Sequence, residues 1–357
     1  MTFMRNSGNK RLYVDFHVIQ TVPPSCVNRD DTARPKTATY GGVTRARVSS
    51  QSWKHAIREY FQEIFTDEQL GIRTKYAAQV IADKLIENGI DSETAVKKAS
   101  EAITNAGVKV DSKKNNTTGA LFFISALQAQ SLTELVLNGE KDKKKYKEAL
   151  QALPSVDMAL FGRMVADDIE LNVDASCQVA HSISTHAVEP EYDYFTAVDD
   201  YSQADNAGAG HLGTLEFTSA TMYRYATVNV IDLFGMIGND AAEAVKGFAK
   251  AFICSMPTGK QNSYANRTLP DLIYVTVRED QPVNLSGAFE KPVSGHDGFV
   301  EKSEKALFQH AKKIYDDYCG SPKHSFVVGH DEILEAKKTN IEGLLTSLSE
   351  IVSQEVM

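Results

Sequence analysis

The chain has 357 residues, 38 basic against 47 acidic side chains, a net charge of −9 and 42% hydrophobic residues. Such a length forms one large or two ordinary domains with a buried core, and the composition excludes a disordered chain. The acidic balance excludes a protein that coats nucleic acid over its whole surface, because phosphate neutralisation needs local positive charge. Apolar runs such as Ala120 to Ile124 and Phe248 to Ile253 fall far short of the roughly 18 residues of a membrane span. The polar stretch Met1 to Lys10 lacks the apolar core of a secretion signal, so a soluble, cytoplasmic chain with no membrane partner is expected. Cys26, Cys177, Cys254 and Cys319 lie far apart, without zinc-ligand spacing, and read as reduced thiols.

Charge is unevenly placed. Thr32 to Arg58 contains Arg34, Lys36, Arg45, Arg47, Lys54 and Arg58 and no acidic residue, so with those six cations set aside the rest of the chain carries −15. The basic window is an island.

In chain order, Leu12 to Ile19 alternates with the period of a strand, Leu12, Val14, Phe16 and Val18 sharing one face. Pro23 and Pro24 end it, and the Asn-, Asp-, Thr- and Pro-rich stretch to Gly41-Gly42 reads as a long loop, of a length that is usually functional or disordered. Ser49 and Ser50 then stand in N-cap position before Trp53, Ala56, Ile57, Tyr60 and Phe61, the apolar stripe of a buried helix face, with Lys54 and Arg58 on the neighbouring face. From Asp67 to about Leu150 the pattern is mostly helical, with Ser131 to Glu134 as a capping box, and reads as an inserted subdomain. Its tract Lys141 to Lys147 reads as a solvated helix face, with nucleic-acid contact as the alternative. Strand character returns in Val173 to Ile183 and in Phe217 to Ile231, separated by a long excursion. A helix over Asp240 to Cys254, a strand over Leu272 to Val277 and two helices, near Val300 to Tyr318 and Asp331 to Val352, complete the pattern. Without the insertions the order is βαββαβ, the ferredoxin-like arrangement that RRM domains use to present a sheet to RNA.

Several motifs lose their force in context. Gly208 to Gly213 spells GxGxxG, yet an acidic, polar stretch precedes it and an alternating one follows, so it reads as a hairpin tip rather than a dinucleotide site. Thr258-Gly259-Lys260 lacks the first glycine of a P-loop, Cys254 standing in its place. Asp30-Asp31, Asp167-Asp168 and Asp199-Asp200 are carboxylate pairs able in principle to hold Mg²⁺, but adjacent residues diverge and no further carboxylates cluster beside them. Glu189 to Gly210 carries six acidic residues and no lysine or arginine, yet includes Tyr192, Tyr194 and Phe195. Its charge forbids tracking a phosphate backbone; its aromatics could stack on or wedge between bases, its carboxylates could dock on the basic island of another copy, or it could be an aromatic-anchored surface loop.

Ser25 to Asp31, Gly41-Gly42 followed by Arg45 to Lys54, Asp193 to Asp200 and His211-Leu212-Gly213 closely resemble the Cas-seven backbone subunit (CasC-like) of type I-E CRISPR Cascade. The likeness continues through Gly162-Arg163-Met164, Ala180 to His186, Tyr223 to Ala226 and Ala288 to Lys291, and is less clear in the helical insertion and toward the end of the chain. The resemblance implies an α+β fold: an RRM-like palm (ferredoxin-like βαββαβ) over 11–66, 151–188 and 217–357, the last with C-terminal helices, helical fingers over 67–150 and a β-hairpin thumb over 189–216. It implies a crRNA-binding subunit whose copies stack head to tail along the guide, with other Cascade subunits as partners and target DNA engaged through guide pairing. The expected RNA-binding residues are Arg29, Lys36, Arg45, Arg47, Ser49, Gln51, Lys54, His55, Arg58 and Met164, with Tyr194, Phe195, Thr196 and Val198 as the thumb at the kink. His55 stands where an arginine is expected, and Val43 and Thr44 replace basic residues. No catalytic residue, cofactor or metal is expected. The alternative is a guide-bound, metal-dependent ribonuclease like type III backbone subunits, with Asp30 or Asp31 as catalyst.

Overall fold

The computed structural model describes residues 10–197 and 211–356, a mixed α+β fold that divides into two compact units. The first holds the chain to Ile57, Val179–Thr227 and Ala249–Leu345; the second holds Arg58–Gln178, Val228–Phe248 and the chain from Thr346.

The first unit is built on a large sheet. Its early elements are β1 (Tyr13–Ser25), β2 (Thr37–Tyr40), β3 (Val43–Val48) and, to Ile57, helix α1 (Ser50–Phe61). From one edge the strand order is Lys337–Lys338, His324–Val328, Leu272–Arg278, β1, His211–Asn229, Ser182–Ser184, β3 and β2. β1 is central and buried on both faces: Val14, Phe16 and Val18 on one, Asp15 and His17 on the other, all fully enclosed. Both Asp15 carboxylate oxygens and His17 Nδ1 have hydrogen-bond partners, as buried polar groups require, whereas the buried His17 Nε2 has none among the described residues. Asp15 accepts from the Tyr225 hydroxyl at 3.0 Å and the Val283 amide at 2.8 Å, and burial pushes its carboxyl up to about 6. His17 Nδ1 lies 2.9 Å from the Tyr223 hydroxyl, which itself accepts from the Leu285 amide, and burial pushes the imidazole down to about 3.

Several expectations change against the fold. β1 runs on through Pro23 and Pro24, because its antiparallel pairing with Leu272–Arg278 stops at Ile19 opposite Leu272, and beyond that point no ladder donor is needed on that side. The expected long loop contains β2 and ends in the turn of the β2–β3 hairpin, closed by Gly41 and Gly42 at φ of +59° and +77°, the two positive values that a tight hairpin turn demands. Val173 to Ile183 is not one strand but two, Cys177–Val179 and Ser182–Ser184, and the buried parity changes between them: Cys177 is enclosed in the first, Ser182 and Ser184 in the second. The last expected helix begins at Ile341, ten residues later than expected, and an unforeseen strand, His324–Val328, precedes it.

In the second unit, helices Ala77–Glu87, Ser92–Asn105, Ala126–Leu137 and Lys143–Gln151 pack around Ile81, Leu85, Ile103, Leu132 and Leu150. Small alanines at 78, 82, 95, 99 and 102 fill the same core and let the helices approach. The capping box lies at Ser125 and Gln128, not at Ser131, which is mid-helix. In the lysine tract, Lys144 pairs with Glu148, Lys145 with Glu140 and Lys147 with Asp168 and Glu170. Among the described residues, no helix is long and apolar enough to cross a membrane.

Candidate nucleic-acid interface

The loop after β1 braces itself with Asp30. One carboxylate oxygen accepts from the Thr32 amide at 2.9 Å, the Thr32 hydroxyl at 2.8 Å and the Arg34 amide at 3.0 Å, and these bonds hold the carboxyl below its ordinary range. A bridge between Arg29 and Pro35 closes the loop base. Backbone bonds then carry the chain inward: the Lys36 amide donates to the Asn28 carbonyl at 2.8 Å and the Arg47 amide to the Lys36 carbonyl at 2.9 Å. The Asn28 side chain also accepts from the Ser49 amide at 3.0 Å. This ladder places Asn28, Lys36 and Arg47 around a recess of about 30 Å³ that Thr218 and Met222 also line.

The cations of the island have different fates. Arg47 is half-buried, its Nε donating to the Thr37 carbonyl and one terminal nitrogen lying 3.1 Å from His181 Nδ1. Arg29 and Arg34 are exposed, and Arg34 pairs at 3.3 Å with Glu216 on the His211–Asn229 strand. Arg45 is 0% exposed, and its guanidinium donates to the carbonyls of Tyr40, Ser184, Phe289 and Glu290. That set of acceptors makes Arg45 a strut between segments, and it leaves the accessible candidate surface. Ser49 is buried and caps α1, its hydroxyl accepting from the Ser52 amide at 3.3 Å. Gln51 and His55 are exposed on that helix, and Lys54 is half-buried. Trp53 Nε1 donates to the Ser182 hydroxyl at 2.8 Å, which ties α1 to the strand beside His181. Behind it Arg224 is fully buried, 3.7 Å from the Trp53 ring centre and 4.6 Å from that of Phe252, with Gln20 as a polar partner.

The hairpin pairs Glu191–Ala197 with His211–Phe217. Its strand period separates the two expected wedge residues: Phe195 faces Gly213 and Tyr194 faces Thr214, so adjacent side chains project to opposite faces. Tyr192 and Tyr194, 67% and 65% exposed, share one face, and Thr196 continues it. Val198 lies outside the described residues.

Two candidates lie in the second unit. Arg58 is half-buried, pairs with Asp157 at 2.9 Å and donates to the Gly71 carbonyl, so its charge is held inside the unit. Met164 is 85% exposed, an unusual setting for a thioether. Its neighbour explains how it is held out: buried Arg163 donates to the carbonyls of Phe123, Leu150 and Leu171 and to Gln128, and burial pushes it down to about 10.

Sequence reasoning named neither Asn28 nor His181 as a site residue. Asn28 follows Val27 in a turn-rich stretch, a setting where an Asx side chain commonly braces backbone amides. His181 had no local signal other than the basic residues that pairing brings to it.

Comparison with known families matches the model for the CT1975-like protein over residues 14–354. The chain belongs to the CT1975-like protein family. Among solved structures, this CT1975-like chain is similar to a chain of "CRISPR RNA-guided surveillance complex, pre-nicking", at 31% identity and a TM-score of 0.83, covering 94% of this chain and 100% of that one. It is also similar to a chain of "CRISPR RNA-guided surveillance complex", at 26% identity and a TM-score of 0.72, covering 94% and 99%. Comparison of the CT1975-like chain with curated proteins gives no match.

Proposed function

We propose that this chain is a crRNA-binding backbone subunit of a CRISPR RNA-guided surveillance complex, of the Cas-seven class in type I-E Cascade. The observation that carries the reading is the end-to-end likeness, at 31% identity and a TM-score of 0.83, to a chain of such a complex. The inner strand order, Leu272–Arg278, β1, His211–Asn229, Ser182–Ser184, supports an RRM-like palm. Lys36 and Arg47 meet RNA phosphates from the ladder, while the hairpin serves as thumb and its exposed Tyr192 and Tyr194 contact bases. Phosphate contacts position a strand without reading it, so base edges stay free to pair with target DNA and specificity belongs to the guide. Copies stack head to tail along that guide.

The subunit is a scaffold rather than a nuclease. Asp30, one candidate catalyst of the ribonuclease alternative, already spends one carboxylate oxygen on three donors of its own loop. The test is to purify the chain from cells that express a CRISPR array and to sequence the RNA that comes with it. Repeat-flanked spacer RNA is the expected yield; messenger or ribosomal fragments in proportion to their abundance would reject the reading.

A further inference from the structure

We propose that His181 is a further RNA-contact residue, its Nε2–H donating to a phosphate oxygen of the bound strand beside Lys36 and Arg47. The inference rests on the RNA-binding reading above and adds a residue and a protonation state to it. Arg47 decides the tautomer. A guanidinium has donors only, so the nitrogen 3.1 Å from it, Nδ1, must accept, and the neutral ring then carries its proton on Nε2. The ring is exposed, and its backbone is anchored at the next residue, Ser182, which pairs with Val48 and accepts from Trp53. Arg47 is itself fixed by the Thr37 carbonyl, so donor and cation are pre-arranged.

The surrounding charge favours an anion there. Partial burial, Arg47 on β3 and Lys36 just before β2 together push the imidazole below its ordinary value. A neutral ring beside two cations still donates a hydrogen bond, and it does so without adding a third positive charge to the free protein.

The test is fluorescence anisotropy of the full chain with a fluorescein-labelled oligouridylate. His181→Ala is expected to weaken binding about tenfold, the scale of one hydrogen bond to a charged acceptor. His181→Gln, which can accept from Arg47 and still donate, is expected to restore affinity to within about twofold of wild type. Unchanged affinity of His181→Ala, while Lys36→Glu weakens binding, would overturn this inference and leave the functional reading standing. A wild-type chain that fails to bind would overturn both. Repeating His181→Ala in an Arg47→Ala background separates contact from positioning: a further loss supports direct contact, and no further loss would overturn it by making His181 only a support for Arg47.

Discussion

The Phe195 ring covers Gly213, its directly opposed partner on the hairpin, so closely that a Cβ on that glycine would overlap the ring. An aromatic over a strand glycine replaces the packing that the glycine cannot supply. Phe195 is 37% exposed in this position, against 65% for Tyr194 on the opposite face. Phe195 therefore stiffens the hairpin, and the exposed aromatic face belongs to Tyr192 and Tyr194.

Separating those roles gives the first prediction. Phe195→Ala is expected to speed amide hydrogen exchange across the hairpin while the global unfolding free energy changes by no more than about 1 kcal/mol, the worth of one cross-strand pair. Tyr194→Ala is expected to leave exchange unchanged and to weaken RNA binding. Equal exchange in the two variants would show that the ring over Gly213 contributes no stiffness.

Arginines of the island divide in the same way. Lys36→Glu with Arg47→Glu should leave the melting temperature near wild type and lower the salt dependence of RNA binding by about one unit of slope per lost phosphate contact. Arg45→Met should do the reverse, because it strips donors from four carbonyls and leaves the exposed cations in place. Thermal melts paired with filter binding at two salt concentrations measure both; Arg45→Met folding normally with a lowered salt slope would return Arg45 to the surface.

Much of the helical part was legible and some of the site was not, for physical reasons. Of the α1 stripe, Trp53, Ala56, Ile57 and Phe61 are buried as their spacing implied, since a strongly periodic segment has one way to bury its apolar side, while Tyr60 at its margin is only half-buried. Ser125 and Ser131 both begin motifs with the right residue three positions on, and only the start of the helix in space separates the cap from its imitation. His324–Val328 buries Ser325, Phe326 and Val327 in succession, so it has no alternation to declare a strand. Charge alone located the island, but Arg45 and Arg58 show why it could not select the contacts. A cation that reaches solvent and one that satisfies carbonyls or Asp157 look alike in sequence until strand pairing brings distant partners together.

Arg58 supplies a third prediction. Asp157 has only 3% of its side chain exposed and holds the Gly71 amide and the Ser155 hydroxyl as well as Arg58. Arg58→Ala leaves that carboxylate without its cation and should cost about 3 kcal/mol in chemical denaturation. Arg58→Ala together with Asp157→Asn should recover part of the loss; a single variant within about 0.5 kcal/mol of wild type would place the pair among those worth little.

Stability should depend on pH through two buried neighbours of opposite sign. His17, pushed down to about 3, contributes stability that is present above the unfolded value of about 6.5 and is lost as pH falls toward the folded value. Asp15, pushed up to about 6, takes its proton earlier in the folded chain than in the unfolded one, so its contribution grows as pH falls from about 6 toward about 3.9. The two oppose each other in mild acid. His17→Phe should therefore flatten the decline below pH of about 6.5, and Asp15→Asn should steepen it, by up to about 1.4 kcal/mol per pH unit in each case. Urea midpoints across that range decide it; identical slopes for wild type and both variants would show that neither group titrates differently on folding.

The most direct test of the backbone reading is native mass spectrometry of the chain assembled on guides of increasing length. A head-to-tail scaffold has a heterologous interface that repeats until capped, so the number of copies should rise in fixed steps with guide length. A constant number of copies on every guide, or mass with no RNA, would contradict the account.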